Sequence, residues 1–180
     1  MAGPSDPSVP SDPSGASGAS VAAGYAALEV GRWADARAAF EATLGGGDAP
    51  EARFGLATAL WWLGESHASV AQATRAYALF RQCGDVESAV QCATWLGITY
   101  KANFANFAAA NGWVGRAERL LEPLAPGLLH GWVHLARAYR MPDLDAAEAL
   151  TRRAVDLARN VGGTDLELGA LSQLGMIRVG

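Results

Sequence analysis

Two histidines four residues apart, His130 and His134 in "HGWVH", have the spacing that puts two zinc ligands on one helix face. The glutamate that a zinc protease carries beside its first histidine is absent, His67 falls in a different segment, and His134 sits on an apolar stripe, so no metal site is expected. Cys83 and Cys92 are too widely separated for a CxxC redox or zinc pair, and two thiols cannot make a disulfide scaffold, so both are expected reduced and packed. "LGGGDAP" at 44–50 is glycine-rich yet lacks the Lys-Ser or Lys-Thr that holds a terminal phosphate, and it reads as a turn. No motif joins a nucleophile to a base and an orienting group, while Asp143 and Asp145 read as helix-start acids favoured by the macrodipole. The expectation is a chain with no catalytic residues and no cofactor, not an enzyme. The more informative stretch is "TALWWLG" at 58–64, where Trp61 and Trp62, two of six tryptophans, stand side by side.

Composition decides which elements can position them. A chain of 180 residues with 51% hydrophobic content has room for a real core. Its 38 alanines, with few β-branched residues in the periodic segments, point to helices, because alanine loses no side-chain entropy on entering one. The fold class is therefore all-α. The formal charge is −4, with −5 before residue 100 and +1 after it, so neither half has the basic footprint of a nucleic-acid binder. The start of the chain does not read as a signal peptide and no run of about 18 apolar residues follows, so a cytoplasmic location without membrane contact is the expectation. Prolines at 4, 7, 10 and 13 follow the three-residue period of polyproline II, and residues 1–20 are expected to form a disordered Pro/Ser/Gly-rich leader.

From Val21 to residue 180 the pattern changes to helix-period hydrophobicity punctuated by glycine or aspartate. "GRWADARAAFEATL" from Gly31 and "GESHASVAQATRAY" from Gly64 lie on each other with an offset of 33. Each runs from a turn glycine into a helix, with Ala36 and Phe40 in the first matching Ser69 and Ala73 in the second; small residues there let helices approach closely. Ala117, Ala147 and Ala154 take the small places later. Asp48 and Thr164 have the form of helix N-caps, and Gly84–Asp85 and Gly162–Gly163 each close one helix and open the next. Helix–turn–helix units at this spacing mark a tetratricopeptide-like superhelical array of antiparallel hairpins: about four hairpins and a final unpaired helix.

The stretches "WWLGESHASVAQATRAYALFRQCGD", "ATWLGITY", "AANGWVGRAERLLE", "HGWVHLARA" and "DLELGALSQLG" resemble the helical-repeat region of large LuxR-type, MalT-like transcriptional regulators of actinobacteria, over about residues 24 to 175. In such regulators the repeats serve sensing or protein contact, and a separate C-terminal helix-turn-helix binds DNA. Nothing here resembles that segment, so no direct nucleic-acid binding is expected of this chain, which reads as a fragment or a shortened paralogue.

In tetratricopeptide-like arrays the first helix of each unit lines the concave face. On that resemblance the candidate groove holds Tyr25, Phe54, Trp61, Trp62, Lys101, Trp132, Tyr139 and Arg140. Phe54 with Trp61, and Trp132 with Tyr139, are both seven residues apart in matching places. Such a groove suits an extended peptide or amphipathic helix, with aromatic anchors and with Lys101 or Arg140 meeting an acidic group. The alternative is a small-molecule sensor with an aromatic-lined concave pocket, which an enclosed cavity of roughly 300 to 1,000 Å³ favours. Ordinary packing of repeat on repeat is preferred for Trp113 and Trp132 and is open for Trp62. A last helix without a partner is expected to expose Leu171, Leu174 and Ile177 and to allow self-association there.

Overall fold

The structure, a computed structural model, describes residues 13–139 and 141–179. Those residues form helices and turns with no strand among them, so the all-α expectation holds. In chain order the helices are α1 (Pro13–Glu29), α2 (Trp33–Leu44), α3 (Pro50–Trp62), α4 (Ser66–Cys83), α5 (Val86–Phe104), α6 (Phe107–Leu121), α7 (Leu128–Ala138), α8 (Leu144–Val161) and α9 (Thr164–Val179). Of the expected leader, residues 1–12 lie outside the described residues, and residues 13–20 are already part of α1. Proline at the first helical position loses no hydrogen bond, and the Ser20 hydroxyl donates to the Ala39 carbonyl of α2 at 3.0 Å, which ties this segment to the helix that follows.

Each short turn reverses the chain, so α1 packs on α2, α3 on α4, α5 on α6 and α7 on α8, while α9 lies against both α8 and α7. The turns carry the repeat in their backbone. Gly31 (φ 73°) and Gly64 (φ 80°) both take the left-handed conformation that side chains disfavour. Around the first, Gly31 N–H donates to Leu28, Arg32 to Ala27 and Ala36 to Arg32; around the second, Gly64 donates to Trp61, Glu65 to Leu60 and Ser69 to Glu65. Every partner in the second set lies 33 residues beyond its counterpart. The same local chemistry therefore builds both reversals.

Capping is less uniform. Asp85 and Asn106 accept from Ser88 N–H and Ala109 N–H, each at 3.0 Å, opening α5 and α6. Asp143 accepts from both Asp145 and Ala146 at the start of α8, so Asp143→Ala is expected to cost about 1 kcal/mol, read as a lower urea midpoint with an unchanged slope. Asp48 does not cap α3. Ala49 occupies that place without a side-chain bond, and the Asp48 carboxylate instead pairs with Arg53 and with Arg75, the latter at 2.8 Å.

The small places are buried: Ala36, Ser69, Ala73, Ala117 and Ala154 are all sealed from solvent. The Ser69 hydroxyl donates to the Ala57 carbonyl at 2.6 Å and pins α4 to α3. Phe40 is the exception, a full aromatic ring in a small place and yet 0% exposed. It fits because two glycines face it. A Cβ at Gly24 or Gly55 would fall 2.5 Å or 2.2 Å from the ring, closer than carbon atoms can approach, so their bare backbones form its slot. Gly97 meets Val114, and Gly131 meets Leu166, in the same way.

The first helices do not form an even row. α1 meets α3, α5 meets α7 and α7 meets α9, but α3 and α5 do not come as close. Rings span that joint: Phe54 meets Trp95 edge to face at 6.2 Å, and the Trp61 indole N–H donates to Asn103 at 3.2 Å. Trp95, Tyr100 and Phe104 fill the space beside Leu96 and Val70. No described helix is long and apolar enough to cross a membrane.

Candidate functional site

The turn geometry places the end of α3 beside the start of α2, and this brings Trp62 onto Trp33. Their rings stack at 4.8 Å with planes 7° apart, and Trp61 meets Trp62 edge to face at 4.8 Å and 83°. Trp62 is the last residue of α3 and is 53% exposed, whereas Trp33 and Trp61 are half-buried. Stacking of this kind contributes roughly 0.5–1.5 kcal/mol beyond area burial, so the exposed ring is held in place. Asn103 extends the arrangement to α5, accepting from Trp61 and donating to the Ser66 hydroxyl at 3.3 Å. Around the rim, Arg37 bridges Glu41 at 2.8 Å and Glu65 at 2.7 Å. The surface is a stacked aromatic edge framed by mixed charge.

The remaining groove residues divide. Tyr25 meets Phe40 edge to face at 5.2 Å, and its hydroxyl donates to the Glu51 carbonyl at 3.0 Å. Burial above all, with Cys92 and Glu51 nearby, lifts that hydroxyl to about 12, so it remains a donor at neutral pH. Phe54 faces Trp95 in the α3–α5 joint. Lys101 and Tyr139 come together, with the ammonium 4.4 Å from the ring centroid. Trp132 packs with Leu174 on the cluster of Leu135, Val155 and Leu166, and Trp113 meets Tyr77 edge to face at 5.1 Å. Arg140 lies outside the described residues.

Two signals were missed in the sequence. Trp33 is the stacking partner of Trp62, and its place beside the Gly31 turn, as Trp62 stands beside the Gly64 turn, was the available clue. Gln173 is buried on α9, which packs on the fourth hairpin, and nothing in the local pattern marks it.

The rival chemistries meet specific obstacles. His130 Nδ1 accepts from Gly127 N–H at 3.3 Å and so serves the start of α7. His134 is pushed below its ordinary range by burial, assisted by His130 and Arg153, which favours its neutral form. Among the described residues, no group of three or more His, Cys, Asp and Glu side chains is arranged to hold a metal ion. Cys92 is buried, and that burial, with Asp85 nearby, pushes its thiol far up, making it a poor nucleophile; Cys83 is exposed. Clefts bordered by Lys101 and Tyr139 measure about 230 and 120 Å³, below the range expected for a drug-sized effector.

At the C-terminal end the expected apolar row is reduced. Leu171 is 42% exposed, but Leu174 packs on the α7–α8 core and Ile177 is half-buried in the wall of a cleft. The reason is that α9 has two partners, α7 and α8, and presents its Leu174 side to them.

No family model matches the sequence, and no curated protein matches it either.

Proposed function

We propose that this chain is a non-enzymatic helical-repeat module that binds a segment of another protein, with the Trp33–Trp62–Trp61 edge as its anchor. The observation that supports this is Trp62, a large ring more than half exposed yet fixed by stacking on Trp33. Aromatic residues dominate the energetics of binding surfaces, and a ring already immobilised loses little entropy when a partner covers it. The partner is a peptide or amphipathic helix that lays an apolar side chain against Trp62. The tetratricopeptide-like superhelix, the role as a sensor or scaffold within a LuxR-type regulator, and residence in the cytoplasm belong to the same proposal and rest on the sequence resemblance. An encoded LuxR-type helix-turn-helix beyond residue 180 would support the regulatory part.

A phage-displayed peptide library panned on the whole chain tests the surface. Selected peptides are expected to carry an apolar anchor and to lose about 30-fold in affinity on Trp62→Ala, the scale of a binding hot spot near 2 kcal/mol. Peptides that bind Trp62→Ala and Trp33→Ala as tightly as the wild type would remove this edge as the anchor.

A further inference from the structure

The chain ahead of α1 repeats one unit, "PSDPSVPSDPS" from Pro4 to Ser14, in which every third residue is proline. Polyproline II turns once in three residues, so this period sorts the side chains onto three edges. Pro4, Pro7, Pro10 and Pro13 make one edge, Ser5, Ser8 and Ser11 the second, and Asp6, Val9 and Asp12 the third. A solvated leader has no need of such sorting; a ribbon that lies on a surface does. Its proline edge carries no amide N–H, so covering that edge leaves no donor unpaired.

A surface that suits it starts where the ribbon ends. Pro13 is the first residue of α1, the outermost helix of the array, which packs on α2 and α3. Gly18, Ala22, Ala23 and Ala26 are exposed on α1, and Glu29 is its only charged residue. Repeat arrays ordinarily close such an end with a polar face. At the far end of α1 the Trp33 ring lies over the Gly31 turn, 3.5 Å from where a Cβ on that glycine would stand. Trp62 stacks on that ring, and Trp61 stands at 83° to Trp62. Walls of aromatic rings are what proline-rich segments dock against. The lengths match as well. From Pro13 to Gly31 the helix covers roughly 27 Å at about 1.5 Å per residue. With about two residues spent on reversing direction, residues 1–10 cover roughly 31 Å at about 3.1 Å per residue.

We propose that residues 1–12 fold back along α1 in polyproline II form, with Pro10 and Pro7 on its alanine face and Pro4 at the Trp33–Trp62 stack, as an internal ligand that a partner must displace. This rests on the same tryptophan edge as the proposed function and gives that edge a regulator. A tethered competitor at an effective concentration of about millimolar weakens every outside ligand in proportion to the fraction of chains in which it is bound.

The whole chain labelled with ¹⁵N at its six tryptophan indoles gives a local readout, each resonance assigned by a tryptophan-to-phenylalanine change. Pro4→Ser, Pro7→Ser and Pro10→Ser together keep length and charge and leave Pro13 to open α1. The Trp33 and Trp62 resonances are expected to move in this variant while those of Trp95, Trp113 and Trp132 stay. Peptides selected against the edge should bind the variant about three- to tenfold more tightly than the wild type. Asp6→Ser with Asp12→Ser, on another edge of the ribbon, should leave both readouts unchanged. Unmoved Trp33 and Trp62 resonances in the proline variant would overturn the internal ligand. Equal effects of the proline and aspartate changes would remove the proline edge as its contact, and a difference that vanishes on dilution would place the segment on a second copy of the chain instead. Selected peptides that ignore Trp62→Ala would refute the partner-docking reading, while the resonances, measured without any added peptide, still decide this one.

Discussion

Phe40→Ala is expected to lower stability by about 3–5 kcal/mol, a large share of the roughly 5–15 kcal/mol that holds a domain of this kind together. The ring is sealed from solvent among Ala27, Ala36, Ala52, Leu56 and Leu60. Two of its walls are the bare backbones of Gly24 and Gly55. Glycine has no side chain to swing into the space, so the cavity left by truncation stays open and the penalty falls in the upper part of the range. Tyr25 also loses its edge-to-face partner. Urea unfolding followed by circular dichroism reads the effect as a fall in midpoint. A loss under about 1.5 kcal/mol would mean that the slot collapses and that the two glycines are not its walls.

Gly55→Ala tests the same contact from the other side, and its sign is the informative part. Inside a helix, glycine to alanine ordinarily gains about 0.5–1 kcal/mol. Here the added methyl would lie 2.2 Å from Phe40 Cζ, with three ring atoms inside 2.6 Å. Overpacking of that kind costs about 1–3 kcal/mol or more, so a net loss is expected. Gly175→Ala on α9, where nothing lies within 4 Å of the new methyl, should show the ordinary gain instead. Combining Gly55→Ala with Phe40→Leu should cost less than the two changes added together, because the smaller side chain leaves room for the methyl. Strict additivity would place the strain elsewhere.

These two positions also show where sequence reasoning reaches and where it stops. The 33-residue offset between Gly31 and Gly64 is legible because one turn chemistry, a left-handed glycine with its flanking amide bonds, is written twice. Helix type is legible for the same reason, since alanine content and period act locally. Phe40 was placed in a small-residue position, yet the glycines that admit its ring sit on α1 and α3, and no local pattern connects them to it. The 100° between neighbours on a helix means that Trp61 and Trp62 cannot share the apolar stripe, which leaves Trp62 open between packing and solvent; its partner Trp33 depends on which turn ends meet, a property of the packed array. Asp48 shows local chemistry overruled. Its side chain has the form of a cap, but Arg53 and Arg75 together offer the carboxylate more than a pair of amides does.

The joint between α3 and α5 has a mechanical consequence. Where α3 and α5 draw apart, the Phe54–Trp95 ring contact and the Trp61–Asn103 hydrogen bond span the gap, and α4 packs on both helices. The tryptophan edge is tied across it by Asn103 on α5, so a small rotation about Phe54 and Trp95 would load the Trp61–Asn103 hydrogen bond and couple the edge to the helix that carries Lys101.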